Sequence, residues 1–167
     1  MKKRDIVIGA VVLLALAGVI FWRQRSRTPK EEMKVPETLS VEDNLEDKFK
    51  IQIPEDVDRA ELKDVSGGNS SAIATRKYAD GKFTHTVLAD LPDPSEQGAF
   101  YQGWLEKGEK GKEGYAAIST GKLRIAKGGW MLQYESSTDY SEYKKVLITQ
   151  EKSSDSQPEK TILEGSF

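Results

Sequence analysis

His85 is the one histidine in the 167 residues, and any acid–base chemistry that needs an imidazole would have to be built on it. It lies in the run "KFTHTVLADL", where Phe83, His85, Val87, Ala89 and Leu91 recur at every second position. That period places its side chain on the apolar face of a strand, as a core or half-buried histidine rather than a base. No G-x-S-x-G elbow is present, and a Ser-His-Asp triad would depend on this strand residue alone. The three Gly-Lys pairs, Gly81-Lys82, Gly111-Lys112 and Gly121-Lys122, are followed by Phe83, Glu113 and Leu123, so none completes a phosphate loop. Cysteine is absent, which removes thiolate nucleophiles, disulfides and Cys-ligated zinc together. Asp56 with Asp58, and Asp90 with Asp93 and Glu96, could offer oxygen ligands to calcium, but neither group has the D-x-[DN]-x-[DN]-G frame. Asn69-Ser70-Ser71 matches a glycosylation sequon that is common by chance. No catalytic, cofactor-binding or metal-binding residue is therefore assigned, and the chain is expected not to be an enzyme.

The remaining candidate is "GAFYQGWLEKGEKGKEG", Gly98 to Gly114. On a strand, Phe100, Gln102 and Trp104 share one face while Tyr101, Gly103 and Leu105 share the other, so the strand is expected to be central and covered on both sides. Gly103 would let a bulky neighbour approach the backbone. In the loop that follows, Lys107, Lys110 and Lys112 alternate with Glu106, Glu109 and Glu113, which reads as a solvated connector. The alternative is an aromatic ligand platform around Trp104.

The elements that would position these residues follow from composition. Ile6 to Trp22, "IVIGAVVLLALAGVIFW", carries no charge and is bracketed by Lys2, Lys3, Arg4 and by Arg23, Arg25, Arg27. At 1.5 Å per residue it reaches roughly 25 Å, the lower limit for crossing a bilayer, with Leu13 and Leu14 at its centre. We read residues 1–5 as a short tail and 6–22 as a transmembrane helix; a cleaved signal peptide ending near Ala15-Leu16-Ala17 is the alternative. Charge flanks alone leave the orientation open. Residues 23–47, with Pro29 and Pro36 and with seven acids against Lys34 from Glu31 onward, are expected to be a charged tether. Residues 1–30 sum to +6, so the rest of a chain of net charge −2 carries −8, which argues against a nucleic-acid partner. From residue 48 the pattern is short period-two runs broken by turn residues: Phe49, Ile51 and Ile53 alternate in the first. "SAIATRKYA" and "KFTHTVLADL" flank Asp80-Gly81, a type I′ hairpin signal. Six further runs follow, and only "STDYSEYKK" could hold a helical turn. The expected fold is an all-β antiparallel sandwich of immunoglobulin-like class over residues 48–167.

The segments "LADLPDPSEQGAFYQGWLEKGEK", "GYAAISTGKLRI" and "KVLITQEKSSDSQPEKTILEGSF" together resemble the extracytoplasmic C-terminal domain of the anti-sigma-K factor family. The matching positions are Leu91, Pro92, Gly98, Tyr101, Gln102, Trp104 and Leu105, then Ile148, Thr149, Glu151, Pro158, Leu163 and Gly165. Ser153-Ser154-Asp155-Ser156 stands where that family has a Gly-Gly pair. The resemblance implies a single-span membrane protein with this domain outside the cytoplasm. The sigma-binding cytoplasmic domain of that family has no counterpart in Met1 to Asp5, so sigma-factor sequestration does not carry over. The expected role is a non-enzymatic interaction or sensory module whose partners are the lipid bilayer and another membrane or envelope protein. A regulator acting in trans with a separate sigma-binding protein, and a small ligand-binding or hydrolytic ectodomain, stand as alternatives.

Overall fold

The computed structural model describes residues 39–167. The expected tail, the span with Ile6, Leu13, Leu14 and Trp22, and most of the expected tether lie outside the described residues. Among the described residues no helix is long and apolar enough to cross a membrane.

The first element corrects the expected boundary at residue 48. Val41–Phe49 forms a helix, α1, where a tether and then a strand were expected. Ser40 starts it: its hydroxyl accepts from the Asp43 amide at 3.0 Å, and Asp43 Oδ2 accepts from the Ser40 amide at 3.2 Å, a capping box. Leu45 and Phe49 fall one turn apart on one face and are both buried. Lys50, at φ 49°, ends the helix in the left-handed region. Phe49 is thus the last helical residue, and of the expected alternating run Ile51 is exposed and Ile53 buried.

Nine strands follow: β1 Asp58–Asp64, β2 Ser71–Ala79, β3 Lys82–Asp90, β4 Phe100–Lys107, β5 Ala116–Lys122, β6 Arg124–Ala126, β7 Gly129–Ser136, β8 Lys145–Glu151 and β9 Lys160–Ser166. β1 was not foreseen, and "STDYSEYKK" supplies bends and a turn before β8 rather than a helix. All pairings are antiparallel and join into one sheet of order β5-β4-β8-β9-β1-β2-β3-β7-β6. The antiparallel β expectation holds in coarser form, as a mostly β domain that also carries α1, whereas the strands of the two expected layers belong to a single sheet. β2 and β3 turn through Asp80-Gly81, at φ 51° and 73°, the positive pair that a type I′ turn requires.

The two edge strands, β5 and β6, are separated in sequence by Leu123 alone. The sheet must therefore roll until its edges nearly meet, and it is close to a closed barrel. Leu123 is buried and its amide donates to the Tyr101 carbonyl at 2.9 Å, which pins the crossing. Inside lies the main core, with Leu62, Ala74, Phe83, Val87, Leu105, Leu132, Val146, Ile148 and Leu163 among its members. The inward face expected for β3 is present in full: Phe83, His85, Val87, Ala89 and Leu91 are all buried. A second cluster lies outside the barrel, where Leu45 and Phe49 of α1 cover Ile73 and Leu88. Both faces of β2 and β3 are buried for that reason, and their sequences are nearly continuously apolar where α1 sits.

Candidate functional site

β4 and β8 run side by side, with Gln102 opposite Thr149 and Phe100 opposite Glu151. That register gathers the motif residues from two distant segments. As expected, Tyr101, Gly103 and Leu105 point inward, and Trp104 lies on the opposite face with Gln102 and Glu106. That outer face is covered too: Gln102, Trp104, Glu106, Thr149 and Glu151 are all buried. A covered strand face built from such groups must satisfy them internally.

It does so through a chain of side chains. Trp104 Nε1 donates to Thr149 Oγ1 at 2.8 Å, the Thr149 hydroxyl hydrogen-bonds Glu151 Oε1, and the Glu159 amide donates to the same oxygen at 3.1 Å. Glu151 is 1% exposed, and its second oxygen has no partner among the described residues. The β8–β9 loop closes over this end. Glu159 accepts from the Lys152 amide at 3.1 Å and from the Ser153 amide and hydroxyl at 3.2 and 2.9 Å, which holds its carboxyl below the usual range.

At the other end Glu106 accepts from the Tyr115 hydroxyl at 2.5 Å. Burial, then this bond, push the Tyr115 phenol up to about 12. The loop after β4 is therefore not the wholly solvated connector expected, because Glu106 is fixed beneath it and Lys107 lies over the Tyr143 ring at 5.3 Å; Glu109 to Glu113 are exposed. Between the two loops opens a cleft of about 360 Å³, lined in part by Glu106, Glu109, Glu159 and Glu164 with Lys110, Lys145 and Pro158. Lys145 pairs with Glu164 at 3.1 Å, so half of the cationic lining is already engaged.

The remaining motif positions hold the fold. Leu91 is buried, and its carbonyl accepts from Trp130 Nε1 at 3.1 Å, while the Trp130 ring meets Tyr101 edge-on at 5.2 Å. Pro92 and Gly98 are exposed, Gly98 at φ 80°. Gly103 faces Thr120 and Leu132, where a Cβ would come to 2.7 and 3.0 Å. Gly165 crosses so close to β1 that a Cβ would collide with the Glu61 carbonyl.

The acids considered for calcium are not brought together. Asp56 pairs with Lys77, Asp58 with Arg76, Asp90 with Lys48 and Glu96 with Lys152. Among the described residues no group of three or more His, Asp or Glu is placed to hold a metal ion.

His85 is buried inside the barrel, with Nδ1 2.9 Å from the Thr75 carbonyl and Nε2 without a partner among the described residues. Burial first, and the Arg76 charge second, lower it to about 4. Sequence reasoning missed Arg76 itself, which is buried beside it, donates to Asp58 at 3.1 Å and to the Tyr143 carbonyl at 2.7 Å, and lies over the Phe167 ring at 4.0 Å. The available signal was its position on the Ala72, Ala74 face of β2. Set against protein-family models, curated proteins and solved structures, the chain matches none.

Proposed function

We propose that the chain is a single-span membrane protein whose β-domain stands outside the cytoplasm as a non-enzymatic interaction or sensory module, of the kind the anti-sigma-K resemblance implies. The observation that carries the reading is the convergence of the resembling segments. Trp104 from the first, and Thr149 and Glu151 from the last, form one buried hydrogen-bonded chain across β4 and β8. Shared residues that build a scaffold support a shared fold, and function on such a scaffold is placed at its surface. The finer fold class belongs to the same proposal. β1 and β9 are joined over only two paired positions, Lys63 with Glu164 and Asp64 with Leu163, so the halves β5-β4-β8-β9 and β1-β2-β3-β7-β6 serve as the two layers of a sandwich.

The test is of attachment and side. The full chain should stay with membranes through alkaline carbonate extraction, and its β-domain should be digested by protease added outside intact spheroplasts. Changing Leu13 and Leu14 to Arg, on the order of 5 kcal/mol of insertion cost, should release or degrade it. A soluble product beginning near Gly18 would instead establish the signal-peptide alternative. Crosslinking in membranes would then identify the partner, including any separate sigma-binding protein. The ligand-binding alternative is favoured by one observation, the cleft of about 360 Å³ with its four carboxylates.

A further inference from the structure

From Glu31 onward acids are spread through most of the chain, yet none occurs from Gly114 to Tyr134. Within that interval lie Lys122, Arg124 and Lys127, all exposed, on β5, β6 and the turn into β7. None has a salt-bridge partner among the described residues, a state they share with Lys63, Lys110, Lys112, Lys144 and Lys160, but these three alone stand in the interval without acids. The Lys122 ammonium rests over the Phe100 ring at 3.5 Å, and Asp90 on the adjoining strand is engaged by Lys48. Ile125, between these cations, is 69% exposed, more than any other large apolar side chain described. The hairpin that presents it has a two-residue turn at Lys127-Gly128, φ 48° and 80°, closed by the Ala126–Gly129 pair.

We propose that the β6–β7 hairpin with the end of β5 is a contact surface for anionic phospholipid headgroups, Ile125 entering the interface and Lys122, Arg124 and Lys127 pairing with phosphates. The inference rests on the membrane-anchored reading above. A domain whose acids repel an anionic surface meets it best where exposed cations are locally in excess, and this patch carries three from a stretch without acids, while Asp90 beside it is paired with Lys48. An exposed apolar side chain flanked along the chain by cations is suited to a headgroup layer, the cation stems lying along the apolar boundary. The opposite end supplies an internal control. The register Tyr78 to Phe83 to Ser136 sets Tyr78 at the far end of β7 from Lys127.

The chain has no cysteine, so Ile125→Cys and Tyr78→Cys each give a single labelling site. The full-length variants, carrying an environment-sensitive nitrobenzoxadiazole label, are placed in nanodiscs of phosphatidylcholine alone or with phosphatidylglycerol. The label at 125 should shift to the blue and be quenched by doxyl lipid in the anionic discs only, and high salt should reverse this. The label at 78 should not respond. Adding Lys122→Glu, Arg124→Glu and Lys127→Glu should lower the contact population, roughly fivefold for each cation lost. A label at 125 that stays in water in both discs, or responds equally in both and ignores salt, overturns the proposal. Failure of the chain to remain in the discs refutes the anchor reading instead. The same label is then read against added phosphatidylglycerol vesicles, where absence of a shift overturns the headgroup contact independently.

Discussion

Thr149→Val removes the hydroxyl that links Trp104 to Glu151 and little else. Trp104 Nε1 then has no acceptor in a site where the residue is 1% exposed, which costs about 1 to 3 kcal/mol. Glu151 Oε1 keeps the Glu159 amide but loses the hydroxyl, and its other oxygen is already unpartnered, so a further 1.5 to 3 kcal/mol, roughly, is lost. The added valine methyl returns about 1 kcal/mol of apolar burial. The net expectation is a destabilisation of about 1.5 to 5 kcal/mol, read from urea unfolding of the full chain in detergent by tryptophan emission. Trp104→Phe breaks only the first link, and Thr149→Val in its background should cost less by about 1 kcal/mol or more, the coupling expected of groups in one network. A Thr149→Val variant within about 0.5 kcal/mol of the parent, or additive single and double variants, would show that the chain of bonds carries no energy and that β4 and β8 are held by their backbone ladder alone.

Three other outcomes follow from the packing. Burial lowers His85 to about 4 from the ordinary imidazole value of 6.5, so the unfolded chain binds the extra proton between those values. Its contribution is therefore complete above pH 6.5 and declines as pH falls towards 4, by about 3 kcal/mol in all, and His85→Leu should flatten the stability profile between pH 5 and 6.5. Gly103→Ala, which forces a Cβ to 2.7 Å from Thr120 Oγ1 and 3.0 Å from Leu132, should lower stability by about 1 to 3 kcal/mol with the strand order kept. Phe49→Ala should cost about 3 to 5 kcal/mol in the same unfolding assay, since that ring fills the space against Gly129 and is nine-tenths or more of the way out of water.

The β2–β3 hairpin could be read from sequence because two independent signals agree there, period-two alternation and an Asp-Gly turn. β4 was legible for a different reason, since large apolar groups on both faces require cover on both. α1 was not, because seven acids from Glu31 to Asp47 mask the Val41, Leu45, Phe49 spacing and its capping box. β1 carries only Ala60 and Leu62 inward amid charge, too short an alternation to outweigh its composition. At the candidate site the resemblance named Trp104, Thr149 and Glu151, but their mutual bonding depends on the β4–β8 register, which no local pattern encodes. Buried Arg76 and Glu106 escaped for the same reason: the partners that make their burial tolerable, Asp58, Tyr143 and Tyr115, come from other elements.

The rolled sheet has two lines along which backbone bonding is thin. At β1–β9 only two positions are in register, helped by the Val65 amide on the Ile162 carbonyl at 2.9 Å, and where the sheet comes round on itself β5 approaches β7 without pairing to it. Opposite seams of this kind divide the domain into two leaves, each internally well laddered. In native-state hydrogen exchange the leaves are expected to behave as cooperative units, with the seam amides exchanging through openings of lower free energy than those within the ladders. A force applied through the N-terminal side of β1 would be felt first at β1–β9, where few bonds resist it. The domain is thereby disposed to part like a bivalve before it unravels, with the chain crossings at Leu123 and in the β3–β4 and β7–β8 connections as the stitches that remain between its valves.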